Sequence, residues 1–200
     1  KQAEYDRFWD AYQQNGKRTD YQTGFTGAGW TEETFKPKYD IVTNSAYMLF
    51  RGCPIKDLGE AIRNSGKKVV VNHNRLQYSF NSCPNLETVE EIEFKNPLVY
   101  ISQAFTTSPK LKKIQTLPIS EEATTLDFTD LSALEDVSFS GVIPVNISFN
   151  KSTKLSNASV QSIIDHLKDL TGQTAKTLTF HATVGGKLTD AQKATITAKN

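Results

Sequence analysis

The sequence has two cysteines, one methionine and three histidines in 200 residues, and no apolar run approaches the eighteen or so residues of a membrane-spanning helix. Each shortage removes a class of explanation. Cys53 and Cys83 are too few for a disulfide framework and lack the CxxC spacing of a zinc site, so both are read as free, buried thiols acting as small apolar fillers. The first residues, KQAEYDRFWD, have neither the basic start nor the apolar stretch of a signal peptide, and no membrane insertion is expected of this chain. Net charge is only +1, from 23 basic and 22 acidic residues mixed along the sequence. Without a basic stripe to track a phosphate backbone, nucleic acid is not an expected partner.

Hydrophobic residues make up 38% of the chain, enough for a continuous core in one or two domains. A loose repeat organises them: FRGCPIKDL from Phe50, FNSCPNLETV from Phe80, FTTSPKLKKI from Phe105, FTDLSALEDV from Phe128 and FNKSTKLSN from Phe149. Successive Phe residues are 30, 25, 23 and 21 apart, and Leu86, Leu111, Leu134 and Leu155 each follow their Phe by six. The first copy slips, with Ile55 at five and Leu58 at eight. A period of about 20–29 residues signals a solenoid whose single turn cannot bury its own apolar face, so that stacking is obligatory. The pieces Leu86 to Val89, Leu111 to Ile114 and Leu134 to Val137 are expected as short strands of a parallel sheet, with the Phe column behind them.

The order aromatic, two variable, Cys/Ser, Pro/Ser, one variable, Leu, two variable, Ile/Val resembles the BspA-type leucine-rich repeat of surface proteins of gut and oral bacteria and of tail-associated proteins of their phages. The segment 8–41 resembles the cap that precedes such repeats, and LTFHATVGGKLTDAQKATITAKN resembles the closing strand and helix of the same proteins. The resemblance implies an α/β repeat fold: a short right-handed leucine-rich-repeat solenoid with a parallel sheet and helical caps at both ends. The expected division is a helical and aromatic N-terminal cap over 1–42, about five repeats over 43–156, and a C-terminal cap of helix, strand and helix over 157–200. A chain that starts without Met and stops inside a helical pattern is expected to be a fragment.

At the start, Tyr5, Phe8, Trp9 and Tyr12 have helical spacing and would end at Asn15-Gly16; they read as a capping face or as a sugar platform. Near the end, Val160, Ile163, Ile164 and Leu167 repeat that spacing, with Asn157 or Ser159 as N-cap and Gly172 as stop. A strand near Thr177–His181 and a helix from Thr189, with Gln192 completing a capping box, should follow.

Catalysis needs converging groups. His73, His166 and His181 have no partner at metal or triad spacing and read as structural or solvent-facing. Glu87, Glu90, Glu91 and Glu93 lie on strand-like sequence without a calcium loop's glycine and read as a solvated face. The GAG at 27–29 and GG at 185–186 are too short for phosphate loops, and the Asn-x-Ser triplets at 146, 150 and 157 reflect abundant Ser and Asn. Neither enzyme activity nor a cofactor or metal is expected. The pattern above background is Glu87-Thr88, Lys112-Lys113 and Glu135-Asp136, pairs of alternating sign at equivalent places in successive turns. They would hold strands in order, or form a mixed-charge recognition surface.

The expected function is a binding or adhesion module for a protein or glycan on a cell or virion surface, with secreted, cell-surface or virion location implied by the resemblance. The alternative is a structural or assembly segment of a phage tail or large surface protein.

Overall fold

The computed structural model describes residues 2–199, the side chains of Gln2 and Tyr5 excepted; Tyr5 of the aromatic stripe therefore lies outside the described side chains. The order of elements is α1 (Gln2–Tyr12), a 3-10 turn at Gln14–Gly16, β1 (Ile41–Thr43), α2 (Leu58–Ser65), β2 (Val69–Val71), β3 (Arg75–Gln77), β4 (Thr88–Val89), β5 (Ile92–Phe94), β6 (Tyr100–Ser102), β7 (Lys113–Ile119), β8 (Thr125–Leu126), β9 (Asp136–Gly141), β10 (Ile147–Phe149), α3 (Asn157–Asp165), β11 (Leu178–Phe180), α4 (Ala182–Gly185) and α5 (Asp190–Ala198). All strand pairing is parallel, in the orders β1-β2-β5, β3-β6-β8, β4-β7-β9 and β10-β11. The chain is thus a parallel β-solenoid of about four turns.

One sheet was expected, and several ladders are found. The Leu-x-x-(Val/Ile) pieces do pair, through Thr88, Lys113 and Asp136 and then Val89, Ile114 and Val137. Three further ladders, β1-β2-β5, β3-β6-β8 and β10-β11, come from short β-branched or mixed runs such as Val69–Val71 and Tyr100–Ser102, too brief to show periodicity. In β3, β6 and β8 only Leu76, Ile101 and Leu126 point inward.

The Phe column is continuous. Phe50, Phe80, Phe105, Phe128 and Phe149 are all at most 2% exposed, and neighbouring rings stack at centroid distances of 6.0, 5.5, 6.0 and 5.3 Å. It extends beyond the five sequence repeats to Phe25 at one end (5.1 Å from Phe50) and Phe180 at the other (6.2 Å from Phe149).

The first four corners around this column share a backbone. Residues two before and two after the Phe, namely Thr23 and Gly27, Met48 and Gly52, Tyr78 and Ser82, and Gln103 and Thr107, have φ between 48° and 68°. Left-handed backbone costs a non-glycine residue of order 1–3 kcal/mol. It is held here by main-chain bonds between corners, as in Met48 N–H to Gln77 O (3.0 Å), Phe50 N–H to Ser79 O (2.8 Å) and Gly52 N–H to Asn81 O (2.9 Å). The sequence stops this pattern at Asp127, whose carboxylate, rather than a main-chain carbonyl, accepts from Gln103 N–H (3.3 Å).

Cys53 and Cys83 are free and buried, as read from the sequence, but their slot is polar as well as small. The Cys83 thiol donates to the Phe50 carbonyl (3.1 Å), as the Ser108 hydroxyl in the next turn does to Phe80 (2.7 Å). Burial pushes the two thiols up, to about 12 for Cys53 and about 11 for Cys83.

Helices stand at both ends of the chain. In α1 only part of the aromatic stripe is covered: Trp9 is buried against Phe25 and Phe35, while Phe8 is 44% exposed. The N-cap of α3 is Ser156, rather than the expected Asn157 or Ser159, because its hydroxyl accepts from Ser159 N–H; the helix ends at Asp165, leaving Leu167 outside it. The capping box at Thr189 and Gln192 is formed.

Candidate functional site

The strip built from Glu87, Thr88, Lys112, Lys113, Glu135 and Asp136 is organised by a repeated main-chain contact. One carbonyl per turn accepts two consecutive N–H groups of the next: Lys56 O from Glu87 and Thr88 (2.7 and 3.2 Å), Glu87 O from Lys112 and Lys113 (2.9 and 3.0 Å), and Lys112 O from Glu135 and Asp136 (both 2.9 Å). These bonds bring the six residues onto one face of the β4-β7-β9 sheet.

Their charges meet one another. Glu87 lies between Lys112 (2.7 Å) and Lys56 (3.5 Å), and Lys113 pairs with Glu90 (2.8 Å) rather than with Thr88 or Asp136 beside it in the sheet. The Lys112 hydrogen bond holds the Glu87 carboxyl below its ordinary value, and Glu87 in turn raises Lys112; Glu90 does the same for Lys113. Lys56 extends the alternation by one turn, giving Lys56, Glu87, Lys112 and Glu135 in order. Sequence alignment missed it because the first copy is out of step.

Glu32 was also missed, and it terminates the strip. Its Oε1 accepts from Lys56 N–H (2.5 Å) and Asp57 N–H (2.6 Å), taking the place that a carbonyl of a preceding turn would fill. No frame residue marks it in the sequence. At the other end the Ser159 hydroxyl accepts from Val137 N–H (2.9 Å) and Ser162 from Phe139 N–H (3.0 Å), so α3 covers the last strand edge with side chains.

The remaining acids are paired as well: Glu91 with Arg63 (3.0 Å) and Glu93 with Lys95. Among the described residues no three His, Cys, Asp or Glu side chains gather as metal ligands. His166 Nδ1 donates to the Ser162 carbonyl (2.7 Å) and His181 Nδ1 accepts from Thr183 N–H (3.2 Å), so both finish helix ends; His73 sits half-exposed in the turn after β2. No helix among the described residues is long and apolar enough to cross a membrane.

No family model, curated protein or solved structure matches this chain. The reading of function therefore rests on geometry and on the repeat pattern.

Concave surface on the solenoid is shallow and open. One groove, of about 650 Å³, lies between Thr31–Glu33, α2 and Glu87-Thr88; another, of about 390 Å³, runs over Lys113–Thr116 and Asp136–Ser138. The second lies directly on the charged strip.

Proposed function

We propose that this protein is a non-enzymatic binding module of the leucine-rich-repeat kind, similar to BspA-type repeats, that presents its β4-β7-β9 face to a protein or glycan on a cell or virion surface. The observation that carries the proposal is the separation of buried frame from displayed strip. Phe, Leu and Val/Ile positions are at most 3% exposed in the three central turns, whereas Thr88, Lys113 and Asp136 stand in register on the outer face. A rigid scaffold that holds variable side chains in fixed register is one way in which specificity is built.

A second reading, a structural segment whose ends make the contacts, is favoured by the ion pairs. Glu87, Lys112 and Lys113 are each engaged within the chain. Exposed pairs of this kind are screened by salt and contribute little to stability, so their charge remains available to a partner that competes for them.

The test uses Lys112→Gln with Lys113→Gln, which removes charge without placing a new carboxylate beside Glu87. Binding is measured against a glycan array and against isolated bacterial envelope and virion fractions at low and high salt. The binding-module reading requires salt-sensitive binding that the double variant loses with little change in thermal midpoint. If the variant binds as the parent does, while deletion of residues 1–40 or 157–200 abolishes assembly, the structural reading replaces it.

A further inference from the structure

Below the charged strip the wall of the solenoid has a step. Val89 pairs with Ile114 and Leu98 with Ile119, so residues 90–97 in one turn face only 115–118 in the next. The longer path carries β5, which does not pair with the shorter segment of β7 opposite it. As a result β5 pairs with β2 on one side and, among the described residues, has no strand on the other. Lys95 N–H bonds Val71 O (3.0 Å), which turns the main-chain groups of Glu93 and Lys95 toward β2. By the alternation of a parallel strand, those of Ile92 and Phe94 turn toward the step.

At Ile92 both groups are taken by one side chain. Gln115 Oε1 accepts from Ile92 N–H (2.9 Å) and Gln115 Nε2 donates to Ile92 O (2.7 Å). A carboxamide placed this way makes the two bonds that a peptide unit of a neighbouring strand would make. It is aimed there by the one-residue bulge in β7 between Ile114 and Leu117, where the register against β9 shifts. An open groove of about 490 Å³ lies alongside, walled by Glu91–Glu93 and floored by Gln115 and Thr116.

We propose that this ledge is a strand-addition site, where an extended peptide lies over Gln115 and Thr116 and pairs with Ile92 and Phe94 after displacing the Gln115 carboxamide. The occupant is identified by what already stands in its place, an amide offering one donor and one acceptor. Acidic side chains at the wall are already neutralised by Arg63, Lys95 and Lys113. Recognition is therefore of main chain, not of charge, which separates this site from the strip above it: Lys112→Gln, which touches no wall residue of the groove, leaves it unchanged.

The test is fluorescence anisotropy with a labelled, end-blocked Lys-Thr-Val-Thr-Val-Thr-Lys peptide, alongside a copy N-methylated at every internal amide. Gln115→Ala, with its fold checked by circular dichroism, should bind the peptide about tenfold more tightly than the parent, because two hydrogen bonds no longer have to be broken first. The N-methylated copy should not bind, and the Phe94 amide should exchange with solvent more slowly when peptide is present. Gln115→Glu, which keeps an acceptor for Ile92 N–H but no donor, should fall between. Equal affinity for parent and Gln115→Ala, equal binding of the N-methylated copy, or no binding to either protein at millimolar peptide overturns the proposal. Dimerisation of Gln115→Ala that peptide does not reverse also overturns it, since the edge then serves a second copy of the chain.

Discussion

Phe105→Ala tests the solenoid at its centre. The ring is 1% exposed and is sandwiched between Phe80 at 5.5 Å and 7° and Phe128 at 6.0 Å and 24°. Its neighbours cannot close over the gap freely, because Phe80 N–H is bonded to Ala104 O (2.8 Å) and the strands on either side hold their spacing. A Phe-to-Ala change at a site that relaxes little costs about 3–5 kcal/mol. For a chain of this length that corresponds to a fall of about 6–20 °C in thermal midpoint. Phe180→Ala is the matched control: the same ring, half-exposed and stacked on Phe149 at the end of the column, should cost roughly 1 kcal/mol. Urea denaturation followed by circular dichroism and by aromatic fluorescence measures both, and a stack of nearest-neighbour turns should lose both signals together. A Phe105→Ala loss below about 1.5 kcal/mol, or one equal to that of Phe180→Ala, would refute the idea that the Phe column is the continuous core.

Three further outcomes are expected. Cys53 and Cys83 should resist a maleimide until the protein unfolds; since folding raises both thiols from about 9, their preference for the folded state is complete below pH 9 and is lost as pH rises toward about 11 and 12. Thermal melts between pH 8 and 11 should thus fall less steeply for Cys53→Ser with Cys83→Ser than for the parent, and parallel profiles would show the thiols to be solvated. Glu32→Ala should cost about 1–3 kcal/mol by freeing the Lys56 and Asp57 amides, with Glu32→Gln recovering much of it; faster hydrogen exchange at those two amides is the specific signature. Gly141→Ala should be poorly tolerated, because Gly141 has φ 83° and a Cβ there would lie 2.0 Å from Ile119 O; a normally folded, equally stable variant would mean that β9 runs differently beside β7.

The five-Phe frame and the Leu-x-x-(Val/Ile) strands were legible because burial constrains the same residue types at the same offsets in each turn. Phe25 and Phe180 were not, since neither is followed by Leu six residues later: Thr31 and Gly186 stand there. The additional ladders escaped notice because strands of two or three residues carry no measurable period, and their identity depends on the turn stacked beside them. Within the candidate strip, position and sign of charge could be read, but not that Glu87 would be shared between two lysines or that Lys113 would reach sideways to Glu90. Glu32 and Gln115 lie deepest out of reach. Each acts by offering a side chain to main-chain groups more than twenty residues away, and that leaves no pattern in composition or spacing.

The change of corner at Asp127 divides the molecule by how it could grow. Upstream, the corners at Phe25, Phe50 and Phe80 make the same main-chain bonds to the turn that follows, so a duplicated copy of 80–104 would meet matching corners and would lengthen the stack by about one strand spacing, 4.8 Å. Downstream, main-chain ladders such as β10-β11 continue, but the corner at Asp127 and the last edge of β9 are matched by single side chains, Asp127, Ser159 and Ser162, each of which fits one neighbour only. Length can therefore change by whole turns on the N-terminal side of Asp127 without disturbing the last two turns and the helices packed against them, which gives a lineage carrying this chain a place to vary reach while keeping its end fixed.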